Sequence, residues 1–202
     1  ILNLDKFVMT NENGSFEITD IAGNQTLVFE LAGYNFDNLN ISGADNLNVM
    51  SKFDVEGTIK IGGKIALGGV TVTAGSHTAT TDKYGKFKII GLTTSTLFVF
   101  EKEGYDFGES IEVSSPSPLN ICATYKVSGK VKSGDTILSS ATITTTSGKS
   151  VESDDEGKFE IAGLDSATTI TIAIDGYNSK AIDVEGYTPQ IIANLDYDVV
   201  LN

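Results

Sequence analysis

The chain has 202 residues, 27 of them acidic against 14 basic, and a formal net charge of −13. All 14 basic residues are lysine, so the guanidinium that reads phosphate or guanine is missing and the acidic surface repels a phosphate backbone, which excludes nucleic-acid binding. No apolar run approaches the ~20 residues that would insert in a membrane, one Cys excludes an internal disulfide framework, and a hydrophobic share of 40% is enough for a packed core.

The chain opens Ile1-Leu2-Asn3-Leu4-Asp5, with neither an initiator Met nor a signal sequence, as a processed chain or an excised piece would. The first structural signal is Asn11-Glu12-Asn13-Gly14 ahead of Ser15-Phe16, a polar turn feeding a strand. The Gly14-Ser15-Phe16 string returns as Gly85-Lys86-Phe87 and Gly157-Lys158-Phe159, at spacings of 71 and 72. Gly33-Tyr34 returns as Gly104-Tyr105 and Gly176-Tyr177 at the same two spacings. Val55-Glu56-Gly57 returns as Val127-Ser128-Gly129, and Ile89-Ile90-Gly91-Leu92 as Ile161-Ala162-Gly163-Leu164, each 72 positions on. One register shared by independent markers identifies an internal repeat. The units are 1–52, which lacks its first strand, then 53–124, then 125–202 with an extra C-terminal strand.

Within the middle unit the apolar residues alternate with period two. Val55, Ile59 and Ile61 face one way, while Glu56, Thr58 and Lys60 face the other. Val70 and Val72, Phe87 and Ile89, Ile111 and Val113, and Leu119, Ile121 and Ala123 continue the pattern. Leu97-Phe98-Val99-Phe100 is apolar on both faces, which predicts a strand covered on both sides. About seven short strands per unit, rich in β-branched and aromatic residues, must bury one face against a second sheet. The expected fold is all-β, tandem seven-stranded immunoglobulin-like or transthyretin-like β-sandwiches arranged as a rod.

Glycines punctuate the units. Gly14, Gly85 and Gly157 close the hairpin turns where Asp82 and its counterparts accept backbone N–H groups. Gly33, Gly104 and Gly176 each turn the chain so that the next Tyr ring covers one end of a core. Between Leu119 and Val131 the alternation scarcely breaks, so the last strand of one unit should run into the first strand of the next. Near the C-terminus Tyr197, Val199 and Leu201 align with the start of a further unit, a spare strand with the register to complete a neighbouring molecule.

The V-x-G strand, the T/S-D-x-x-G-K-F hairpin, the following G-L and the closing G-Y together resemble the carboxypeptidase regulatory-like and CnaB-type families. The resemblance implies a transthyretin-like sandwich serving as a non-catalytic appendage or stalk, extracellular or on a cell surface. It also raises the Lys–Asn isopeptide crosslink of CnaB-type pilins, assisted by a buried acid. Phase argues against one here, because Lys60, Lys130, Lys132 and Asn120 all fall on outward positions. Glu30 and Glu101, semi-buried on this reading, are replaced by Ala173 in the third unit.

No site of chemistry assembles. His77, the single histidine, sits at a hairpin tip without partners, and neither other unit retains it. Cys122 lies on the outward phase of its strand, either covered at the junction or exposed and reactive. Asp154, Asp155 and Glu156 form an acidic turn that reads as solvated, weak Ca²⁺ binding being the alternative, since the D-x-D-x-D-G series is absent. No cofactor is expected. Asn13, Asn24 and Asn40 carry N-x-S/T triplets, acceptors only in a glycosylating host. The expected function is a structural rod, stalk or filament subunit, not an enzyme. Its partners would be neighbouring copies of itself, joined head to tail by strand complementation, or adjacent domains of a longer chain. The alternative is a ligand- or carbohydrate-binding adhesion module using the divergent stretches Asn35–Asn46 and Ser114–Pro118.

Overall fold

The structure is a computed structural model that describes residues 7–43 and 46–198. All regular structure among them is β. The strands are β1 (Gln25–Leu27), β2 (Tyr34–Phe36), β3 (Leu39–Ile41), β4 (Ser51–Ile61), β5 (Ile65–Ala66), β6 (Thr71–Ala74) and β7 (His77–Thr80). They continue as β8 (Lys86–Leu92), β9 (Thr96–Glu101), β10 (Tyr105–Asp106), β11 (Ile111–Val113), β12 (Leu119–Ser133) and β13 (Thr136–Ile137). The last are β14 (Thr142–Thr145), β15 (Ser150–Glu152), β16 (Lys158–Leu164), β17 (Thr168–Ala173), β18 (Lys180–Val184) and β19 (Thr188–Asn194).

Two sandwiches of the same design follow one another. In the first of them β4, β5, β8 and the front of β12 face a four-stranded sheet in the order β11-β9-β6-β7. In the second the rear of β12 with β13, β16 and β19 faces β18-β17-β14-β15. The registers coincide: Thr71 lies opposite Glu101 and Thr142 opposite Ala173. The molecule is thus a rod of tandem β-sandwiches, and one of its sheets never stops at a unit boundary. A single nine-stranded sheet containing β2, β4, β12 and β19 runs along it, because β4 and β12 each belong to two neighbouring units.

The alternating residues of these shared strands make the core. Val55, Ile59, Val127 and Val131 are fully buried, whereas Glu56 is exposed and Ser128 only half-buried. The chain narrows to glycine where the ring of the adjacent strand lies across the backbone, Phe87 of β8 opposite Gly57 and Phe159 of β16 opposite Gly129. A Cβ on Gly57 would lie 2.5 Å from the Phe87 ring, and one on Gly129 2.7 Å from Phe159. Strand β9 corrects the expectation of cover on both faces. Phe98 and Phe100 are buried, but Leu97 and Val99 are exposed, since among the described residues nothing covers the outer face of that sheet. An apolar side chain in water is unremarkable when it stands singly. His77 lies directly after the Gly75-Ser76 turn, the first residue of β7 and paired with Ala74, and is half-buried rather than fully exposed.

Among the described residues the first unit has the β1–β3 pair, with Thr26 opposite Asn40, β2 paired to the start of β4, and an isolated bridge between Leu31 and Tyr34.

Candidate functional site

Among the described residues no three of His, Cys, Asp and Glu stand close enough together to hold a metal ion. The structure instead repeats one construction, the joint between units, and builds it from the sequence in the same way each time.

Each joint begins with a glycine at positive φ, 82° at Gly33, 80° at Gly104 and 82° at Gly176, a conformation that a Cβ would strain. The following tyrosine pairs antiparallel with an aromatic residue of the next unit's leading strand: Tyr34 with Phe53, Tyr105 with Tyr125, Tyr177 with Tyr197. The ring centroids are 6.0, 6.4 and 4.7 Å apart in that order. In the second and third joints the glycine carbonyl accepts the N–H one residue beyond that aromatic, Lys126 to Gly104 and Asp198 to Gly176, both at 3.0 Å.

The following unit then covers the glycine with the loop before its last strand. Pro116 packs on Gly33, its Cγ 2.7 Å from where a Cβ would be, and the Tyr187 ring occupies the same place over Gly104. Tyr187 adds two hydrogen bonds there. Its backbone N–H donates to Tyr105 Oη at 3.3 Å, and its hydroxyl donates to Glu103 Oε1 at 3.1 Å. Over Gly176 nothing among the described residues lies within 4 Å, and Tyr197 is 60% exposed.

The middle joint has the most buried chemistry. Tyr125 is 1% exposed, and its hydroxyl donates to the carbonyl of Ser166 at 2.8 Å, tying the shared strand to a loop of the third unit. Burial, then the neighbouring Tyr105, Asp165 and Glu185, raise the Tyr125 pKa above the ordinary value for a phenol. Burial and then the Glu103 bond do the same for Tyr187. Lys126 and Glu160 close the outside of the joint at 2.9 Å.

The hairpin turns are equally uniform. Oδ1 of Asn11, Asp82 and Asp154 each accepts two backbone N–H groups, two and four residues on, at 2.7 to 3.0 Å. Gly14, Gly85 and Gly157 close them at φ of 75°, 74° and 75°. These bonds give the Asp82 and Asp154 carboxylates a structural role within their own turns. Lys60, Lys130 and Lys132 are half-buried, while Asn120, Glu30 and Glu101 are exposed. The two acids therefore correct the expectation of semi-buried carboxylates and lack the burial that would assist a crosslink. Cys122 is exposed, so it is not covered at the junction. Asn13, Asn24 and Asn40 are all exposed. Val199 and Leu201 lie outside the described residues.

Sequence reasoning finds the Gly-Tyr element and misses the cover. Pro116 and Tyr187 stand 71 positions apart, one short of the 72 that relates their units, so the register of the repeat does not align them and differing residue types give no further signal.

No protein-family model matches the chain, and no curated protein matches it by sequence. Among solved structures it is similar to the Bacillus anthracis TIE protein, at 17% identity and a TM-score of 0.32, over 79% of this chain and 37% of that one. It is similar to the shaft pilin SpaA from Lactobacillus rhamnosus GG, at 14% identity and a TM-score of 0.33, over 74% of this chain and 99% of that one. A streptococcal ancillary pilin matches at 13% identity and a TM-score of 0.31, over 84% of this chain and 73% of that one. The chain thus spans little more than a third of the TIE protein.

Proposed function

We propose that the chain is a non-catalytic structural rod, a stalk, spacer or filament subunit working outside a cell, with units 1–52, 53–124 and 125–202. One observation carries the reading: β12 is at once the last strand of one sandwich and the first of the next, with no linker between. A chain of sandwiches on Gly/Ser tethers would flex as separate bodies; here bending requires a strand to break. The aromatic pair, the covered glycine and the Tyr125 hydroxyl all add to that stiffness. The extracellular setting rests on the resemblance of the hairpin and Gly-Tyr pattern to surface-protein families.

The partner on this reading is another unit of the same kind. Tyr197 pairs with Tyr177 as Phe53 and Tyr125 pair with their tyrosines, and the Gly176 face is uncovered among the described residues. In the finer version Tyr197, Val199 and Leu201 begin a strand donated to a second copy. Small-angle scattering and electron microscopy of the full chain test the rod: a straight particle of constant length is expected, and a beaded particle of variable bend would overturn it. Size-exclusion chromatography with and without residues 196–202 tests the donation. Loss of an associated species on deletion supports it, and a monomer in both cases removes it.

A further inference from the structure

We propose that the rod is a tensile element in which each complete sandwich acts as a shear clamp. The proposal deepens the rod reading and rests on it for its biological setting. Tension along the chain enters the first complete sandwich through β4 and leaves through β12. These two strands lie side by side and parallel, from Leu119 opposite Gly57 to Ala123 opposite Ile61. Pulling the N-terminal end of one against the C-terminal end of the other slides them along their length. The bonds of a parallel ladder are evenly spaced and run across the strands, so they stretch together. A hairpin pulled at its open end surrenders its bonds one by one.

Further bonds bridge the same pair. Thr58 Oγ1 donates to Asn120 Oδ1 at 3.0 Å, and Gly62 N–H donates to Ala123 O at 3.0 Å beyond the end of the ladder. The second sandwich repeats the arrangement with different residues. The rear of β12 pairs in parallel with β19, from Val127 opposite Thr188 to Lys132 opposite Asn194. Ser128 Oγ donates to Pro189 O at 3.0 Å, Leu195 N–H to Lys132 O at 2.8 Å, and Gly134 N–H to Asn194 Oδ1 at 2.9 Å. Load passes from one clamp to the other along the backbone of a single strand. No loop stands in series between the two clamps.

The test is single-molecule force spectroscopy on the full chain held at its two ends. Two high-force events are expected, each adding roughly 20–25 nm of contour as one sandwich extends. A second geometry isolates the clamp. In a Cys122→Ala background, handles on Lys64→Cys and Lys126→Cys load β4 and β12 from the same end and peel them rung by rung, so the first event should drop to low force. Asn120→Ala should weaken one event of the two while leaving the denaturant midpoint nearly unchanged, because forced unfolding reads the unfolding rate rather than equilibrium stability. Equal forces in the two geometries, or no high-force event at all, would overturn the clamp. A particle that is straight by microscopy yet unfolds at low force defeats the clamp and leaves the rod; a beaded particle defeats the rod.

Discussion

The first unit and the two that follow carry the same signals and fold to different extents. Asn11 closes its turn with the same two side-chain bonds as Asp82 and Asp154, and Gly14 takes the same φ as Gly85 and Gly157. The residues leaving that turn part company. Lys86–Leu92 and Lys158–Leu164 are seven-residue strands, whereas Ser15–Ile21 forms none. The difference lies in the partner. Strand β8 pairs with β4 and β16 with β12, whereas no strand ladder among the described residues includes Ser15–Ile21. The same holds at the far end of the unit, where Leu47–Met50 stays irregular although its counterpart Leu119–Cys122 is strand against β4. A groove of about 980 Å³, lined by Phe16, Ile18, Ile21 and Leu27 among others, lies open there. In the complete units the inward side chains of the leading strand, Val55 and Ile59 in one and Val127 and Val131 in the other, are fully buried. Turns of this kind are local chemistry, and strands are a tertiary product.

Core truncation breaks the comparison most sharply. Ile89 is 2% exposed and lies beside Val55 of β4, and Ile18, its counterpart, is half-buried at the groove. Ile89→Ala should destabilise its sandwich by about 2–5 kcal/mol through lost burial and a residual cavity. Ile18→Ala has less burial to lose and should cost well under half as much. Denaturant unfolding followed by residue-resolved hydrogen exchange separates the units. Equal losses at the two positions would mean that the first unit has a closed core in solution.

The same contrast explains what was legible beforehand. Turn glycines, Gly-Tyr elements and the inward phase of Val55, Ile59 and Ile61 depend on chemistry within a few residues, and the chain states that chemistry three times. The passage of β12 across the boundary was legible too, because unbroken alternation from Leu119 to Val131 leaves nowhere for a turn. Strand β9 was not: its pattern records that both faces are apolar, not that a neighbour exists to cover the second. Nor was the seat of Tyr187 on Gly104, which joins positions 83 residues apart in sequence. The exposure of Glu101 escaped for a similar reason, since its burial depended on an element the fold does not place over it.

Removing the turn anchors should produce the converse pattern. Asp82→Ala and Asn11→Ala each delete one acceptor serving two backbone N–H groups. Both acceptors are exposed, so a loss of about 1 kcal/mol is expected for Asp82→Ala. Because the turn is local, the immediate amides at 13 and 15 should lose protection in Asn11→Ala as those at 84 and 86 do in Asp82→Ala. Exchange rates at those four amides are the measurement. A change confined to the complete unit would show that the Asn11 side chain does not hold the first unit's turn in solution.

The smallest effect concerns the middle joint, where a complete unit meets another complete unit. Burial raises the pKa of Tyr125 above that of an exposed phenol, so its folded state favours the neutral ring that donates to Ser166. A raised acid contributes stability that is present in full below the unfolded value, near 10 for tyrosine, and is lost as pH climbs through the folded value. The third unit should therefore soften above about pH 10, seen as faster exchange around Ser166 and a more flexible particle in scattering. Tyr125→Phe removes the titrating hydroxyl and its bond together. It should lower stability slightly at neutral pH and flatten the part of the alkaline response that belongs to this joint, leaving that of Tyr177 and Tyr187. An unchanged profile in Tyr125→Phe would assign the response to those two tyrosines. The buried hydroxyl would then be a packing feature of the joint and not its pH-sensitive tie.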